Sequence, residues 1–289
     1  YTAPLAITNT TTVTWLATRS GYSPQLLTNT YTSVPPLALS PAPGAYSNAI
    51  SLAMSAPAGQ SIYYSLNGGG MQSYVGPIWL DGYQNGTLNL TASYAGGATN
   101  TFLYTFQADP PTVSPPSQLV TQAVTMSAAN GRTAGSTINY YEGDVGGDPV
   151  STNSQRYQYK GPILITGSRS YLFLSTKPGY LPSALVSNTY TGKLPTPVLS
   201  SATNWFNGPA WLTIQSGLPG YGGTYTLTRP DGTTYAVNSS SPQINVNVDA
   251  GGTYTVAMSR PGWLDSDAVT WSAEFYVQDL SVTPPSGYI

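Results

Sequence analysis

One phrase recurs four times in 289 residues, and that recurrence confines the chain to an array of small, similar domains. Each copy opens with a tyrosine step: Tyr1-Thr2-Ala3-Pro4, Tyr74-Val75-Gly76-Pro77, Tyr159-Lys160-Gly161-Pro162 and, more loosely, Ser241-Pro242. An alternating stretch follows, then a glycine corner: Arg19-Ser20-Gly21-Tyr22, Lys177-Pro178-Gly179-Tyr180 and Arg260-Pro261-Gly262-Trp263, with Gly96 at that place in the divergent second copy. Each copy closes on an aromatic, and the closing tyrosines Tyr31, Tyr104, Tyr190 and Tyr276 stand 73, 86 and 86 residues apart. A period of that size describes a domain rather than one turn of a solenoid.

Within each copy, apolar side chains alternate with Thr, Ser or Asn at period two, the spacing of a half-buried strand. The inward sets before the corner read Val13, Trp15 and Ala17; Leu88, Leu90 and Ala92; Tyr171, Phe173 and Ser175; Tyr254, Val256 and Met258, all expected at one register. Earlier strands recur as Leu52-Ala53-Met54-Ser55, Val124-Thr125-Met126-Ser127 and Leu212-Thr213-Ile214-Gln215. Their partners start at Ile62, Ile138 and Tyr225. Between them, Pro57-Ala58-Gly59, Asn130-Gly131 and Pro219-Gly220 supply turn chemistry. About seven short strands per copy predict an all-β fold of tandem immunoglobulin-like β-sandwiches.

Proline clusters at Val34-Pro35-Pro36, Asp109-Pro110-Pro111 and Leu194-Pro195-Thr196-Pro197 mark the boundaries, because proline fixes φ and withholds a ladder donor. The expected units are 1–34 (the C-terminal half of a module), 35–108, 109–193, a divergent 194–278, and 279–289 as a first strand of a further module or a donor strand. Linkers this short and stiff point to a semi-rigid rod. Val282-Thr283-Pro284-Pro285-Ser286 repeats Val113-Ser114-Pro115-Pro116-Ser117, so the sequence starts and stops inside modules. A window on a longer array fits, as does strand addition between neighbouring chains. The window is favoured, since joining the two ends leaves about 38 residues of a module unaccounted for.

Composition excludes several function classes. Charged residues are 7% of the chain, 9 basic against 11 acidic, which leaves no basic stripe for nucleic acid. Cys and His are both absent, removing disulfides, the commonest transition-metal ligands and most nucleophile–base pairs. No apolar run approaches the ~20 residues of a membrane span.

The stretch Pro162-Ile163-Leu164-Ile165-Thr166 through Lys177-Pro178-Gly179-Tyr180-Leu181-Pro182-Ser183 to Val186-Ser187-Asn188-Thr189-Tyr190-Thr191 resembles the chitobiase/β-hexosaminidase C-terminal-like repeat. Similar wording runs from Pro4 to Thr32. The resemblance implies small immunoglobulin- or fibronectin-like sandwiches, in tandem, in secreted and cell-surface bacterial proteins. It carries no catalytic residues.

Two sets of residues could do more than hold shape. Glu142, Asp144 and Asp148 gather carboxylates among glycines, as calcium sites do, although turn geometry accounts for the same composition. Trp79, Tyr83 and Tyr46 stand on or beside turns and are the candidate glycan or partner contacts, whereas packing is expected to account for Trp15, Trp205, Trp211 and Trp263. The carboxylates form no recurring pair of the kind that glycoside hydrolysis needs. The cations Arg19, Lys177 and Arg260 are expected to cap exposed strand ends. The expectation is therefore a non-enzymatic structural segment of an extracellular bacterial fibre, stalk, surface layer or adhesin, free of cofactors. Its partners would be copies of itself or neighbouring modules. The alternative is a noncatalytic accessory region of a secreted carbohydrate-active enzyme that binds polysaccharide.

Overall fold

The computed structural model describes residues 4–7, 9–33, 36–57, 60–95, 97–144, 155–202, 204–218 and 220–276. Tyr1 to Ala3, Gly59, Gly96, Asp148, Pro219 and the segment 279–289 lie outside the described residues. The chain divides into two compact units. One is Tyr1–Asp109 with Arg132–Ser136 and Thr176–Ser183; the other is Pro110–Gly131 with Thr137–Ser175 and Ala184–Ile289.

The first unit begins with an antiparallel pair, β1 (Thr11–Ala17) and β2 (Gln25–Tyr31), whose register sets Val13 opposite Asn29 and Trp15 opposite Leu27. A sandwich follows: β3 (Ala38–Ser40), β4 (Ala45–Tyr46), β5 (Ile50–Ser55), β6 (Ile62–Leu66), β7 (Gln72–Ser73), β8 (Ile78–Leu80), β9 (Thr87–Tyr94) and β10 (Asn100–Phe106). Its sheets run β3-β5-β8 and β4-β10-β9-β6-β7, with β4 parallel to β10 and the other pairs antiparallel.

The second unit repeats this arrangement twice. One sandwich contains β11 (Thr112–Ser114), β12 (Gln118–Val120), β13 (Val124–Ala129), β14 (Thr137–Asp144), β15 (Arg156–Gln158), β16 (Ile163–Ile165), β17 (Arg169–Thr176) and β18 (Val186–Gly192). The other contains β19 (Val198–Ser200), β20 (Trp205–Phe206), β21 (Ala210–Gln215), β22 (Gly223–Thr228), β23 (Thr234–Ser239), β24 (Gln243–Val248), β25 (Gly252–Ser259) and β26 (Val269–Phe275). Their sheets are β11-β13-β16 with β12-β18-β17-β14-β15, and β19-β21-β24 with β20-β26-β25-β22-β23. Three strands facing five, with a parallel strand at one edge of the larger sheet, is an immunoglobulin-like sandwich. A 3₁₀ turn at Gln84–Gly86 is the one helical element among the described residues, and none of their helices is long and apolar enough to cross a membrane.

Alternation builds each core. Leu52, Leu80, Leu88, Leu90, Tyr104 and Phe106 fill the first sandwich; Met126, Ile165, Tyr171, Phe173 and Tyr190 the second; Leu212, Ile214, Tyr254 and Val256 the third. Each fully buried aliphatic or aromatic side chain contributes about 1.5–3 kcal/mol. Tyrosine can fill a core because its hydroxyl finds a carbonyl: Tyr104 donates to Pro41 O at 3.0 Å and Tyr190 to Pro115 O at 2.6 Å. The tyrosines that open the second and third repeats work the other way. Tyr74 accepts the Met54 N–H at 3.0 Å, and Tyr159 accepts the Ala128 N–H at 3.0 Å.

Two expectations about the inward sets need correction. Leu88, Leu90 and Ala92 are buried, but cross-strand pairing sets Tyr104 opposite Leu88 where Tyr190 lies opposite Arg169. The counterparts of Tyr171, Phe173 and Ser175 are therefore Leu90, Ala92 and Tyr94, two residues further on. Extra residues Tyr83–Gly86 ahead of β9 cause the offset. On β1, Val13 and Trp15 are only half-buried and Ala17 is exposed, because no second sheet faces this hairpin among the described residues.

Candidate functional site

Specific contacts concentrate where a glycine corner meets a sandwich, and each unit contains one such joint. The corner in the first unit starts from a turn in which Tyr180 N–H donates to Lys177 O at 3.1 Å. Gly179 holds φ at +79°, a left-handed value that side chains resist. The turn delivers Tyr180 into the core of β3–β10. Its ring meets Phe106 edge-on at 5.5 Å and is 7% exposed. Backbone bonds fasten the corner on two sides: Tyr83 N–H to Gly179 O at 2.8 Å, Leu181 N–H to Phe106 O at 2.8 Å, and Ala108 N–H to Leu181 O at 2.9 Å. Such close approach requires glycine on the receiving side. A Cβ on Gly82 would lie 2.7 Å from both Gly179 O and the Tyr180 ring.

Charge completes this joint. Lys177 Nζ lies 2.8 Å from Asp81 Oδ1, the Tyr180 hydroxyl donates to the same oxygen at 2.7 Å, and the ammonium sits 4.2 Å from the Tyr180 ring centre. The hydrogen bonds from Lys177 and then Tyr180 hold the Asp81 carboxyl below its usual pKa. Burial works against the Lys177 ammonium, yet its pairing with Asp81 and Tyr180 outweighs that, and its pKa rises. Burial pushes the Tyr180 hydroxyl up. The same unit carries a second clamp around Asp109, whose N–H donates to Thr133 Oγ1 at 2.7 Å, while Asn48 bonds Arg132 O and Ala134 N–H, each at 3.0 Å.

The second unit builds the same joint from different side chains. Ser168 N–H donates to Gly262 O at 2.7 Å, Leu264 N–H to Gly192 O at 2.7 Å, and Leu194 N–H to Leu264 O at 3.0 Å, bond for bond the set around Tyr180. Trp263 takes the place of the tyrosine. A Cβ on Gly192 would lie 2.9 Å from its ring. The ion pair is reversed, with Lys193 on the sandwich bonding both oxygens of Asp267 at 2.8 and 2.9 Å. Arg260 then lies 4.6 Å over Tyr221.

A third corner has the same internal form. Tyr22 N–H donates to Arg19 O at 3.1 Å, Gly21 has φ +79°, and Arg19 lies 4.9 Å over the Tyr22 ring, which is 67% exposed. The recurrent cations thus rest on aromatic faces rather than capping strand ends.

The sequence does not advertise the joints, because the corner repeats in wording whereas its receptor does not. A glycine at one offset after an aliphatic strand, Leu80-Asp81-Gly82 and Ile165-Thr166-Gly167, was the available signal. Of the candidate contacts, Trp79 is 69% exposed on β8, but Tyr46 and Tyr83 are half-buried against the first core, Tyr46 stacked on Tyr104 at 6.1 Å. Their flanking turns mislead, because Tyr46 pairs with Phe106 as a strand and Tyr83 belongs to the joint. Conversely, Trp205 and Trp211, expected to pack, are 62% and 63% exposed. Trp15 and Trp263 are half-buried. Glu142 lies 3.5 Å from Arg169 Nε, Asp144 ends β14, and Asp148 lies outside the described residues. Among the described residues no three His, Cys, Asp or Glu side chains gather to hold a metal ion.

No family model and no curated protein matches the chain. Similar solved structures include the four N-terminal Ig domains of Dscam1 isoform 6.9, at 16% identity and TM-score 0.24 over 93% of this chain and 80% of that one. A two-domain fibronectin type-III segment of chicken tenascin is 13% identical, with TM-score 0.33 over 58% of this chain and 98% of that one. The ICAM-5 D1–D4 ectodomain fragment is 13% identical, with TM-score 0.27 over 93% of this chain and 83% of that one. The immunoglobulin-like character of this chain rests on its own sheets and cores.

Proposed function

We propose that this chain is a structural segment of an extracellular bacterial fibre, stalk, surface layer or adhesin, related to the chitobiase-like repeats, and that it performs no catalysis. The supporting observation is the joint, made twice with the same three backbone bonds, a glycine receptor and an aromatic anchor. Duplicated covalent linkers would suffice for passive spacing, whereas duplicated joints resist bending and pulling. Scarce charge and abundant Thr, Ser and Asn suit a surface that contacts like surfaces without long-range repulsion. Antibodies raised against the chain test this reading on intact cells of the organism that encodes it. Surface label on a regular polymer or layer is expected, and antigen confined to the cytoplasm overturns it.

A second reading is supported by Trp79 and Trp211, exposed on the three-stranded sheets of two sandwiches. Flat exposed rings stack on sugar faces, as in an accessory region that binds polysaccharide. Retention of the chain on insoluble glycan, abolished in the double variant Trp79→Ala/Trp211→Ala, would favour this reading; absence of retention rejects it.

A further inference from the structure

The second unit carries a groove beside its joint. It lies at one end of the larger sheet of the third sandwich, where β22 starts next to the ends of β23 and β25, with Gly223 opposite Ser239 and Thr224 opposite Ser259. Its volume is about 430 Å³, within the roughly 300–1,000 Å³ usual for small-molecule sites. Glycine keeps it open. A Cβ on Gly223 would lie 2.6 Å from Ser259 O, and one on Gly222 would overlap Ser239 O, so this part of the lining is bare backbone. The receptor position of this sandwich, Val248-Asp249-Ala250, lies at the other end of β25, so a further module joined there would not cover the groove.

Two glycine turns border the groove. One is the corner that begins at Arg260. The other stands outside the repeat: Tyr221 N–H donates to Leu218 O at 3.2 Å and Gly220 holds φ at +77°, the form of the corner at Gly179. This second turn supplies the ring on which Arg260 rests, at 4.6 Å, because Trp263 is turned into the joint. Arg260 differs from its counterpart in one respect. Lys177 has Asp81, whereas Thr166 stands at that place in the second joint, and the acid there, Asp267, bonds Lys193 instead. Arg260 forms no ion pair among the described residues. Asn238 and Ser240 line the same groove, and their side chains make no hydrogen bond among the described residues.

We propose that this groove binds an acidic sugar, a uronic acid residue of a polysaccharide, through Arg260. The guanidinium takes the carboxylate, to which its planar fork is matched. Tyr221 supplies an aromatic wall for the sugar ring, and Asn238, Ser240 and the glycine backbone meet its hydroxyls. The lining decides the class of ligand. One cation among hydroxyl, amide and bare backbone fits one negative charge on a polar ring. An acidic peptide would call for several cations, and a phosphate group for a helix N-terminus or a cluster of arginines; the lining offers neither. The site needs no contact between copies and neither Trp79 nor Trp211.

Nuclear magnetic resonance of the intact chain, titrated with galacturonate, glucuronate and mannuronate, tests this. At least one acid is expected to shift the Arg260 Nε–H and the amides of Tyr221, Gly222 and Asn238, while its uncharged methyl ester leaves them in place. Arg260→Gln, with its fold checked by circular dichroism, should weaken binding about ten- to hundredfold, as loss of a charged hydrogen-bonding partner does. Trp79→Ala/Trp211→Ala should bind as the unaltered chain does. The proposal is overturned if none of the acids shifts these resonances, if the methyl ester shifts them equally, or if Arg260→Gln binds unchanged. Equal binding of acetate would mean an unselective carboxylate site, and tighter binding of a glutamate-rich peptide a protein partner; either overturns it too. Where Arg260→Gln fails to fold, the comparison of acid with ester on the unaltered chain decides alone. None of these outcomes alters the cell-surface labelling that tests the structural reading.

Discussion

Tyr180 reaches from the glycine corner to donate its hydroxyl to Asp81 Oδ1 at 2.7 Å, and the Lys177 ammonium meets that oxygen at 2.8 Å. One carboxylate therefore gathers both side chains of the corner that carry polarity. Because its pKa is depressed in the folded chain, its contribution to stability is present above the unfolded value and lost as pH falls through the folded one. Below about pH 4, the ordinary carboxylate range, the Tyr83 amide bonded to Gly179 should lose hydrogen-exchange protection before core amides do. Asp81→Asn should remove this acid step.

Substitution at Gly82 should damage the same joint from the other side. An added Cβ would sit 2.7 Å from Gly179 O, on a backbone with φ +69°. Gly82→Val is expected to lower stability by about 1–3 kcal/mol, the range for strained or overpacked positions. Chemical denaturation measures the loss, and Gly76→Val, where nothing lies within 4 Å, serves as the control.

Tyr74→Phe and Tyr159→Phe should behave as one mutation made in two places. Each removes the acceptor of a β-strand N–H, Met54 in one sandwich and Ala128 in the other, without altering ring packing. Leaving such a donor without its partner costs about 1–3 kcal/mol. Amide exchange at Met54 and Ala128 should accelerate in the corresponding variant and remain unchanged in the other.

Alkali should unfold the sandwiches through their tyrosines. Burial raises Tyr104 to about 12 and moves Tyr171, Tyr190 and Tyr225 in the same direction. The folded state keeps these protons longer than the unfolded state, so stability is complete below the unfolded value near pH 10 and falls as pH rises toward the folded one. Absorbance of tyrosinate should show a cooperative step coincident with loss of β-sheet circular dichroism. Independent titration of each ring, with the sheets intact, would contradict it.

Much of the architecture was legible because period-two alternation over Tyr171, Phe173 and Tyr254, Val256 admits one buried face, and proline at Pro110, Pro111, Pro195 and Pro197 interrupts pairing wherever it occurs. The two-residue offset at Leu88 was not legible, since Leu88, Leu90 and Ala92 are all apolar and alternation alone cannot tell which pair faces Tyr104. The joint was half legible. Arg19, Lys177 and Arg260 recur at one place in the repeat, but the acid of one joint sits at Asp81 and that of the other at Asp267, so no single sequence position advertises the ion pair. Exposure of tryptophans was least legible. Trp211 and Leu212 are neighbours in one strand, and only the choice of face turns one outward and the other into the core.

The corner at Arg19, Gly21 and Tyr22 already has its bend, its cation and its ring in register while its tyrosine faces solvent. A corner whose bend, cation and ring are set within four residues can be copied along with the repeat that carries it. Lengthening the gene by one unit thus supplies one more fastening without any new invention, and selection can then tune each by swapping tyrosine for tryptophan or moving the acid.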